Sequence, residues 1–202
     1  PARMALAHLW SAGLEWEPEM APVVDLCMEE RTALRGQLQY RLNTPSTSSM
    51  GRLFDAAAAM MGIRQTSTYE GQAAIEMEAL VDGNETAQYT FELTDNEIDP
   101  SPMWDELIAD WHAGISKGRM AARFHNGVAA AMLEGCQNAR QRTGSTVVAL
   151  SGGVWQNMAL LSRVVVLLRQ AGFKVLYHQR VPTNDGGLAL GQALIAAKSG
   201  LI

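Results

Sequence analysis

The sequence has only two cysteines, Cys27 and Cys136, among its 202 residues. They lie far apart and match neither the ligand spacing of a zinc site nor a CxxC redox motif. No disulfide framework is therefore expected. Two unpaired thiols are typical of a reduced compartment, so we expect a cytoplasmic protein.

Long apolar runs and a basic face are also missing. The most apolar stretch, around "VVVLLRQAG", is bounded and interrupted by Arg163 and Arg169 and is too short to cross a bilayer. The formal net charge is −5, so neither a membrane nor nucleic acid is expected as a partner. The first residues, "PARMALAHLW", lack the order of a signal peptide and an initiator methionine. We therefore expect this chain to be a piece of a longer polypeptide.

Apolar residues are plentiful instead, at 48% of the chain, which is enough for the core of one domain or one large lobe. The pattern predicts that residues 1–105 are mainly helical and that residues 106–202 form an α/β core. Two apolar strands, each followed by a helix, give this core a β-α-β-α order and a partly parallel sheet. In the first part we predict helices over 2–14, 22–42, 52–63 and 69–81, and a strand over 88–98.

The motif "LSGGVWQN" (150–157) lies where the first of these strands passes into a helix. Gly152 and Gly153 lack Cβ atoms, so the main chain can take unusual conformations and a ligand can approach it closely. The turn opens onto a helix N-terminus, where free N–H groups favour an anion or a polar ligand. A tight turn without a ligand is the alternative. No Gly-Lys-Ser/Thr follows, so this is not a Walker A loop.

The motif "PTNDGGLALG" (182–191) repeats this arrangement after the second strand. Parallel strands place their carboxyl ends at one edge of a sheet, so Asp185 should lie near the first glycine turn. Its carboxylate is suited to a divalent metal or to orienting a metal-bound phosphate. It is equally suited to capping the helix that follows.

Several polar and aromatic residues have two interpretations. Asp55 lies about one turn into a helix that should begin near Ser48 or Ser49, so it either offsets the helix dipole or accepts hydrogen bonds from a ribose. Gly71 should begin another helix, in which we expect Glu76 on the solvated face. Trp155, inside the glycine turn, is either a packing residue or a surface for a base.

Five blocks together resemble one known family: "TSSMGRLFDAAAAMMGI", "YEGQAAIEMEAL", "FHNGVAAAM", "VALSGGVWQNMALLSR" and "VPTNDGGLALGQALIAA". They are similar to the C-terminal part of HypF-type carbamoyltransferases, which are maturation factors for nickel-iron hydrogenases. The same architecture occurs in the tRNA threonylcarbamoyladenosine synthase family. The resemblance implies a lobe of the actin-like, sugar-kinase and Hsp70-like ATPase superfamily, with a ribonuclease H-like core and a large helical elaboration.

The resemblance also implies a reaction. Such enzymes make carbamoyl adenylate from carbamoyl phosphate and ATP in an upstream domain. The carbamoyl group then passes to the C-terminal cysteine thiolate of a HypE-type partner, on the way to the cyanide ligand of the hydrogenase. Rival interpretations are an O-carbamoyltransferase of the same superfamily and a regulatory scaffold that only binds nucleotide.

Residue by residue, the resemblance implies an adenosine-binding turn at Gly152, Gly153 and Asn157. It implies a ribose-binding acid at Asp55 and a glycine that backs the nucleoside at Gly71. It also implies a divalent metal (iron, zinc or magnesium), held by Asp185 or Asn184; a carboxylate is the better ligand, so we prefer Asp185. The family's histidine cluster is absent, so all of 1–202 should be the second lobe of a two-lobe domain, and inactive alone.

Overall fold

The computed structural model describes residues 1–94 and 97–200. These residues fall into two compact units, which divide between Ala131 and Met132. The boundary between the units falls inside a long helix, later in the chain than residue 105, where the sequence pattern changes character. Within the described part of the chain, none of the helices combines the length and apolar character needed to cross a membrane.

The first unit is built mainly from helices, as the sequence predicts. Its elements are α1 (Ala2–Ser11), α2 (Ala21–Asp25), α3 (Met28–Tyr40), α4 (Met50–Met60), α5 (Gln72–Glu78), the strands β1 (Glu92–Leu93) and β2 (Ile98–Asp99), α6 (Ser101–His112) and most of α7 (Lys117–Thr143). The strands β1 and β2 pair antiparallel over two residues each.

The second unit carries the α/β pattern. After the end of α7 come β3 (Val147–Leu150), α8 (Met158–Gln170), β4 (Lys174–Tyr177) and α9 (Leu188–Lys198). Short 3₁₀ turns at 153–156 and 185–187 precede α8 and α9. The strands β3 and β4 pair in parallel, with Leu150 opposite Tyr177. The predicted β-α-β-α order and parallel pairing are confirmed.

Small residues set the spacing of the helices in the first unit. Four consecutive alanines of α4, at 56–59, are fully buried, and α4 packs along α1 and against α5. Phe54 adds an edge-to-face contact with Phe124 of α7, at 4.9 Å between ring centroids. His125 is also fully buried, and its Nδ1 lies 2.7 Å from the carbonyl oxygen of Ala121. We conclude that His125 is a structural residue.

The prediction of a single helix over 22–42 is wrong, because the helical conformation is interrupted between α2 and α3. Leu26 is extended, and Cys27 is the N-cap of α3. The N–H of Cys27 donates to the Glu30 carboxylate at 2.9 Å, which completes a capping box. The apolar spacing continues across this break, so periodicity alone does not reveal it.

The strand predicted over 88–98 is largely absent. Only β1 and the first residue of β2 are strand within that range, and Asp95 and Asn96 lie outside the described residues. The preceding segment bonds to a helix instead, since the N–H of Tyr89 donates to the carbonyl oxygen of Arg123 in α7 at 3.1 Å. A backbone that is paired with α7 in this way does not need a neighbouring strand.

A polar cluster fastens this segment to α7. The Glu85 carboxylate accepts hydrogen bonds from the N–H of Ala87 at 2.9 Å and from Arg119 at 2.7 Å. Arg123 lies 3.2 Å from it and also donates to Asp110. The Ala87 hydrogen bond, followed by Arg119, lowers the pKa of Glu85 to about 2. Glu85 is therefore charged throughout the ordinary pH range.

Gly127 makes this close approach possible, and we predict that Gly127→Ala destabilises the fold. A Cβ at this position would collide with the carbonyl oxygen of Tyr89, at a cost of about 1–3 kcal/mol. Gly36 is the matched control, because it lies in α3 with open space around it. Gly36→Ala should stabilise by about 1 kcal/mol. Urea denaturation measures both variants; equal effects would contradict the close packing.

The Glu85 cluster also predicts how stability depends on pH. Because folding lowers this pKa, the carboxylate contributes stability above its ordinary pKa and loses that contribution as pH falls towards 2. Glu85→Gln should therefore be less stable than wild type at pH 7, and the difference in melting temperature between the two proteins should become smaller below pH 4.5. Thermal denaturation between pH 2 and 7 measures this, with Glu19→Gln as the exposed control. A difference that does not change with pH would refute the assignment.

Candidate functional site

The first glycine turn joins β3 to α8. Gly152 has φ 106° and ψ 162°, a region that is essentially restricted to glycine. A Cβ at Gly152 would have no other atom within 4 Å. The glycine is therefore required by the backbone conformation, and there is open space beside the turn.

Asn157 has a clear structural role at the end of this turn. Its Oδ1 accepts a hydrogen bond from the N–H of Leu160 at 2.8 Å, so Asn157 is the N-cap of α8. The side chain is also among the few buried polar groups, with 8% of the residue exposed. Asn157 thus fixes where the helix begins relative to the glycines.

In the second turn, after β4, the two polar residues Asn184 and Asp185 have different roles. Asn184 is the N-cap of the short 3₁₀ turn, and its Oδ1 accepts from the N–H of Gly186 at 3.2 Å. Asp185 follows it and is exposed. Among the described residues, its carboxylate makes no hydrogen bond or ion pair. Asp185 therefore does not cap the helix that follows, since the N-cap of α9 is Gly187 and no side chain caps that helix.

The structure brings these two turns together. The N–H of Gly152 donates to the carbonyl oxygen of Thr183 at 2.8 Å, and the hydroxyl of Thr183 donates back to the carbonyl oxygen of Gly152 at 3.1 Å. A Cβ on Gly153 would lie 3.9 Å from the Cβ of Asn184. Gly152, Gly153, Asn184 and Asp185 therefore share the carboxyl edge of the β3–β4 pair, where ligands collect in open α/β sheets.

One pair at this edge was missed from the sequence. The Oγ of Ser151 lies 3.3 Å from the Nε2 of His178. Each is the first residue after its strand, and the two strands end in register at Leu150 and Tyr177. The register of the parallel pair would have revealed the contact, but a sequence does not specify that register.

The other two candidate residues lie in the first unit. Asp55 is in α4, whose N-cap is Ser49, beyond the first turn of the helix. Its side chain is 14% exposed and lies 3.1 Å from Arg52. Gly71 is the N-cap of α5 with φ 78°. The predicted helix starts are confirmed, and Asp55 lies too far along α4 to offset its dipole.

The structure decides between the two interpretations of Trp155 and corrects the expectation for Glu76. Trp155 is 7% exposed within the 3₁₀ turn, so it is a packing residue and offers little surface to a base. Glu76 is half-buried rather than solvated: Arg64 donates to it twice, at 2.6 and 2.8 Å, and Gln72 donates once. The Arg64 hydrogen bond lowers the pKa of Glu76.

A metal site is commonly built from several side chains that converge on one point. Within residues 1–94 and 97–200, no group of three or more His, Cys, Asp or Glu side chains has the arrangement of a metal site. Asp185 is at most one ligand of such a site.

Comparison with known proteins agrees with this architecture. A family model described as "Carbamoyltransferase, Kae1-like Domain, second subdomain" matches residues 1–192. The carbamoyltransferase HypF of Rhizobium leguminosarum bv. viciae is 36% identical over 197 residues, covering 97% of this chain and 25% of that protein. The HypF of Rhodobacter capsulatus is 36% identical over 199 residues, covering 98% of this chain and 25% of that protein.

Solved structures give the same result. A crystal structure of full-length HypF in a phosphate- and nucleotide-bound form matches with a TM-score of 0.85 and 36% identity, covering 98% of this chain and 26% of that one. The crystal structure of T. kodakarensis HypF matches with a TM-score of 0.79 and 22% identity, and the match covers 96% of this chain and 26% of that one. At this identity the match supports the fold alone. This chain spans about a quarter of the length of these relatives. It belongs to the HypF carbamoyltransferase family, within which it matches the second subdomain of the Kae1-like domain.

Proposed function

We propose that this chain is the second lobe of a carbamoyl-transfer domain with the actin-like, ribonuclease H-like ATPase fold. The whole enzyme would make carbamoyl adenylate from carbamoyl phosphate and ATP. It would then transfer the carbamoyl group to the C-terminal cysteine of a HypE-type partner in the cytoplasm, towards the cyanide ligand of a nickel-iron hydrogenase. The observation that carries this proposal is the pair of fastened glycine turns at one sheet edge, in a chain of the HypF family.

The chemistry asked of this lobe is modest. In the transfer step the cysteine thiolate attacks the carbamoyl carbon, a C–S bond forms, and the C–O bond to phosphate breaks, releasing AMP. A mixed anhydride is already activated, so the protein has chiefly to exclude water and to orient the two reactants. No side chain of this lobe has to act as the nucleophile.

The glycine turn has the properties that an adenosine site needs. Its backbone is held by Thr183 on one side and by the Asn157 cap on the other. The open space beside Gly152 lets a ligand approach the main chain. We assign Gly152, Gly153 and Asn157 to the adenosine. The resemblance to the family, rather than the geometry of the turn, assigns Asp55 to the ribose hydroxyls and Gly71 to the backing of the nucleoside.

Asp185 is our candidate for one ligand of a divalent metal, whether iron, zinc or magnesium. Its carboxylate is exposed and has no protein partner among the described residues, whereas the Oδ1 of Asn184 is used in capping. Hard cations favour carboxylate oxygen. When bound, the metal would stabilise charge on phosphate oxygens, and its other ligands would come from outside this chain.

The remainder of the polypeptide is the partner that this lobe most clearly requires. The helix α9 has no buried residue, and its large apolar side chains are 56–67% exposed: Leu188, Leu190, Leu194 and Ile195. A helix that is apolar on all sides is normally buried. Parallel sheets are normally covered on both faces, yet Val147 of β3 and Leu176 of β4 are each 48% exposed. We therefore propose that the first subdomain of the same polypeptide covers α9.

The nucleotide assignment predicts a specific effect of Gly152→Ala. The new Cβ strains a backbone that only glycine adopts easily, at about 1–3 kcal/mol, and we expect AMP affinity to fall by about tenfold or more as the turn shifts. Gly172→Ala is the matched control, because this glycine also has positive φ and open space but lies after α8. Isothermal titration of the chain with AMP measures both. Equal losses in the two variants would argue against an adenosine site at Gly152.

The incomplete site predicts that this chain alone is inactive. Supplied with ATP, carbamoyl phosphate and a peptide ending in cysteine, it should form neither AMP nor a carbamoylated peptide, since the described residues gather no metal site. Chromatography and mass spectrometry measure both products, and circular dichroism verifies that the chain is folded. Turnover by the chain alone would contradict the two-lobe proposal.

A further inference from the structure

We propose that Ser151 and His178 form a subsite for the phosphate oxygens of the bound nucleotide. In this subsite the Ser151 hydroxyl donates to the ligand, and His178 is a positioning residue that orients this hydroxyl. The inference rests on the proposed nucleotide turn and adds to it the residues that would distinguish a charged phosphate from a neutral nucleoside.

The fold places this pair beside the glycine turn. Ser151 immediately precedes Gly152, and His178 follows the last residue of β4. Because Leu150 and Tyr177 are paired in register, the next residue of each strand comes into contact, with Oγ and Nε2 3.3 Å apart. Both residues are exposed, so a ligand at the carboxyl edge of the sheet can reach them.

The neighbouring polar groups are already used inside the protein. The Thr183 hydroxyl donates to the carbonyl oxygen of Gly152, the N–H of Gly152 donates to Thr183, and the Oδ1 of Asn184 caps the second turn. Among the described residues of the two turns, the Ser151 hydroxyl is bonded only to His178. Ser151 is therefore the hydroxyl of this edge that is best able to meet a ligand.

The chemistry of the two side chains suits an anionic oxygen. A serine hydroxyl has one O–H donor and two acceptor lone pairs. When the Nε2–H of His178 donates to the Ser151 oxygen, the O–H of Ser151 is directed away from the imidazole and is free to donate. A hydrogen bond to a charged oxygen is stronger than one to a neutral group, so the pair should favour phosphate over a nucleoside hydroxyl.

The test compares adenosine with ADP by isothermal titration of the 202-residue chain. Wild type should bind ADP more tightly than adenosine. Ser151→Ala and His178→Ala should each lower the ADP affinity by about tenfold and leave the adenosine affinity unchanged. His178→Gln retains an N–H donor at a similar reach and should restore most of the ADP affinity, which a purely structural role would not explain. His112→Ala, which removes an exposed histidine of the first unit, should change neither affinity.

Each contrary result has a distinct meaning. Equal affinity of wild type for ADP and adenosine overturns the subsite but leaves the adenosine turn intact. Parallel losses of both affinities in Ser151→Ala and His178→Ala mean that the pair only supports the turn, which also overturns the inference. Failure of wild type to bind either ligand overturns the proposed nucleotide turn together with the subsite. Thermal denaturation of each variant verifies its folding.

Discussion

The candidate site depends on the parallel pairing of β3 with β4. Parallel neighbours must be joined by a crossover, which α8 provides, so both strands end at the same edge of the sheet. The polar contacts of the candidate site in the second unit follow from this shared edge. Ser151 and His178 extend the register by one residue, and the two hydrogen bonds between Gly152 and Thr183 fasten the loops that leave the strands. A slip in register would separate all of these groups at once.

The first unit depends on a different constraint, the close approach of a backbone segment to the helix α7. The segment from Glu85 to Tyr89 lies on α7 because glycine at 127 leaves room for a carbonyl oxygen. The charged cluster of Glu85, Arg119 and Arg123 then fixes the position of this segment. Buried alanines of α4 permit similarly close helix packing. In both units, small residues allow the approach and polar groups determine the position.

The sequence predicts elements whose signals are local, and fails where the determinant is a tertiary contact. The helix starts at Gly71 and near Ser49, the two strands of the core and the glycine turns all follow from local patterns. The interruption of the helix before α3 depends on a capping box, and the periodic spacing of apolar residues continues across it without a visible change. Glu76 depends on Arg64, twelve residues earlier, and the Ser151–His178 contact depends on strand register. The two turns and their shared sheet edge were thus predictable, whereas the contacts between their side chains were not.

The adjacent residues Asn184 and Asp185 illustrate how one local hydrogen bond gives two similar side chains different roles. Either could cap a helix or bind a cation when only the sequence is considered. Once the Oδ1 of Asn184 accepts from the N–H of Gly186, its acceptor is used in holding the turn. Asp185, one residue further, then presents an exposed carboxylate on a fixed backbone. Asn and Asp are about equally good N-caps, so the capping position itself does not distinguish them, whereas the uncapped position suits a carboxylate because hard cations favour carboxylate oxygen. The order Asn-Asp therefore supports the proposal that Asp185, rather than Asn184, is the residue that would bind a cation.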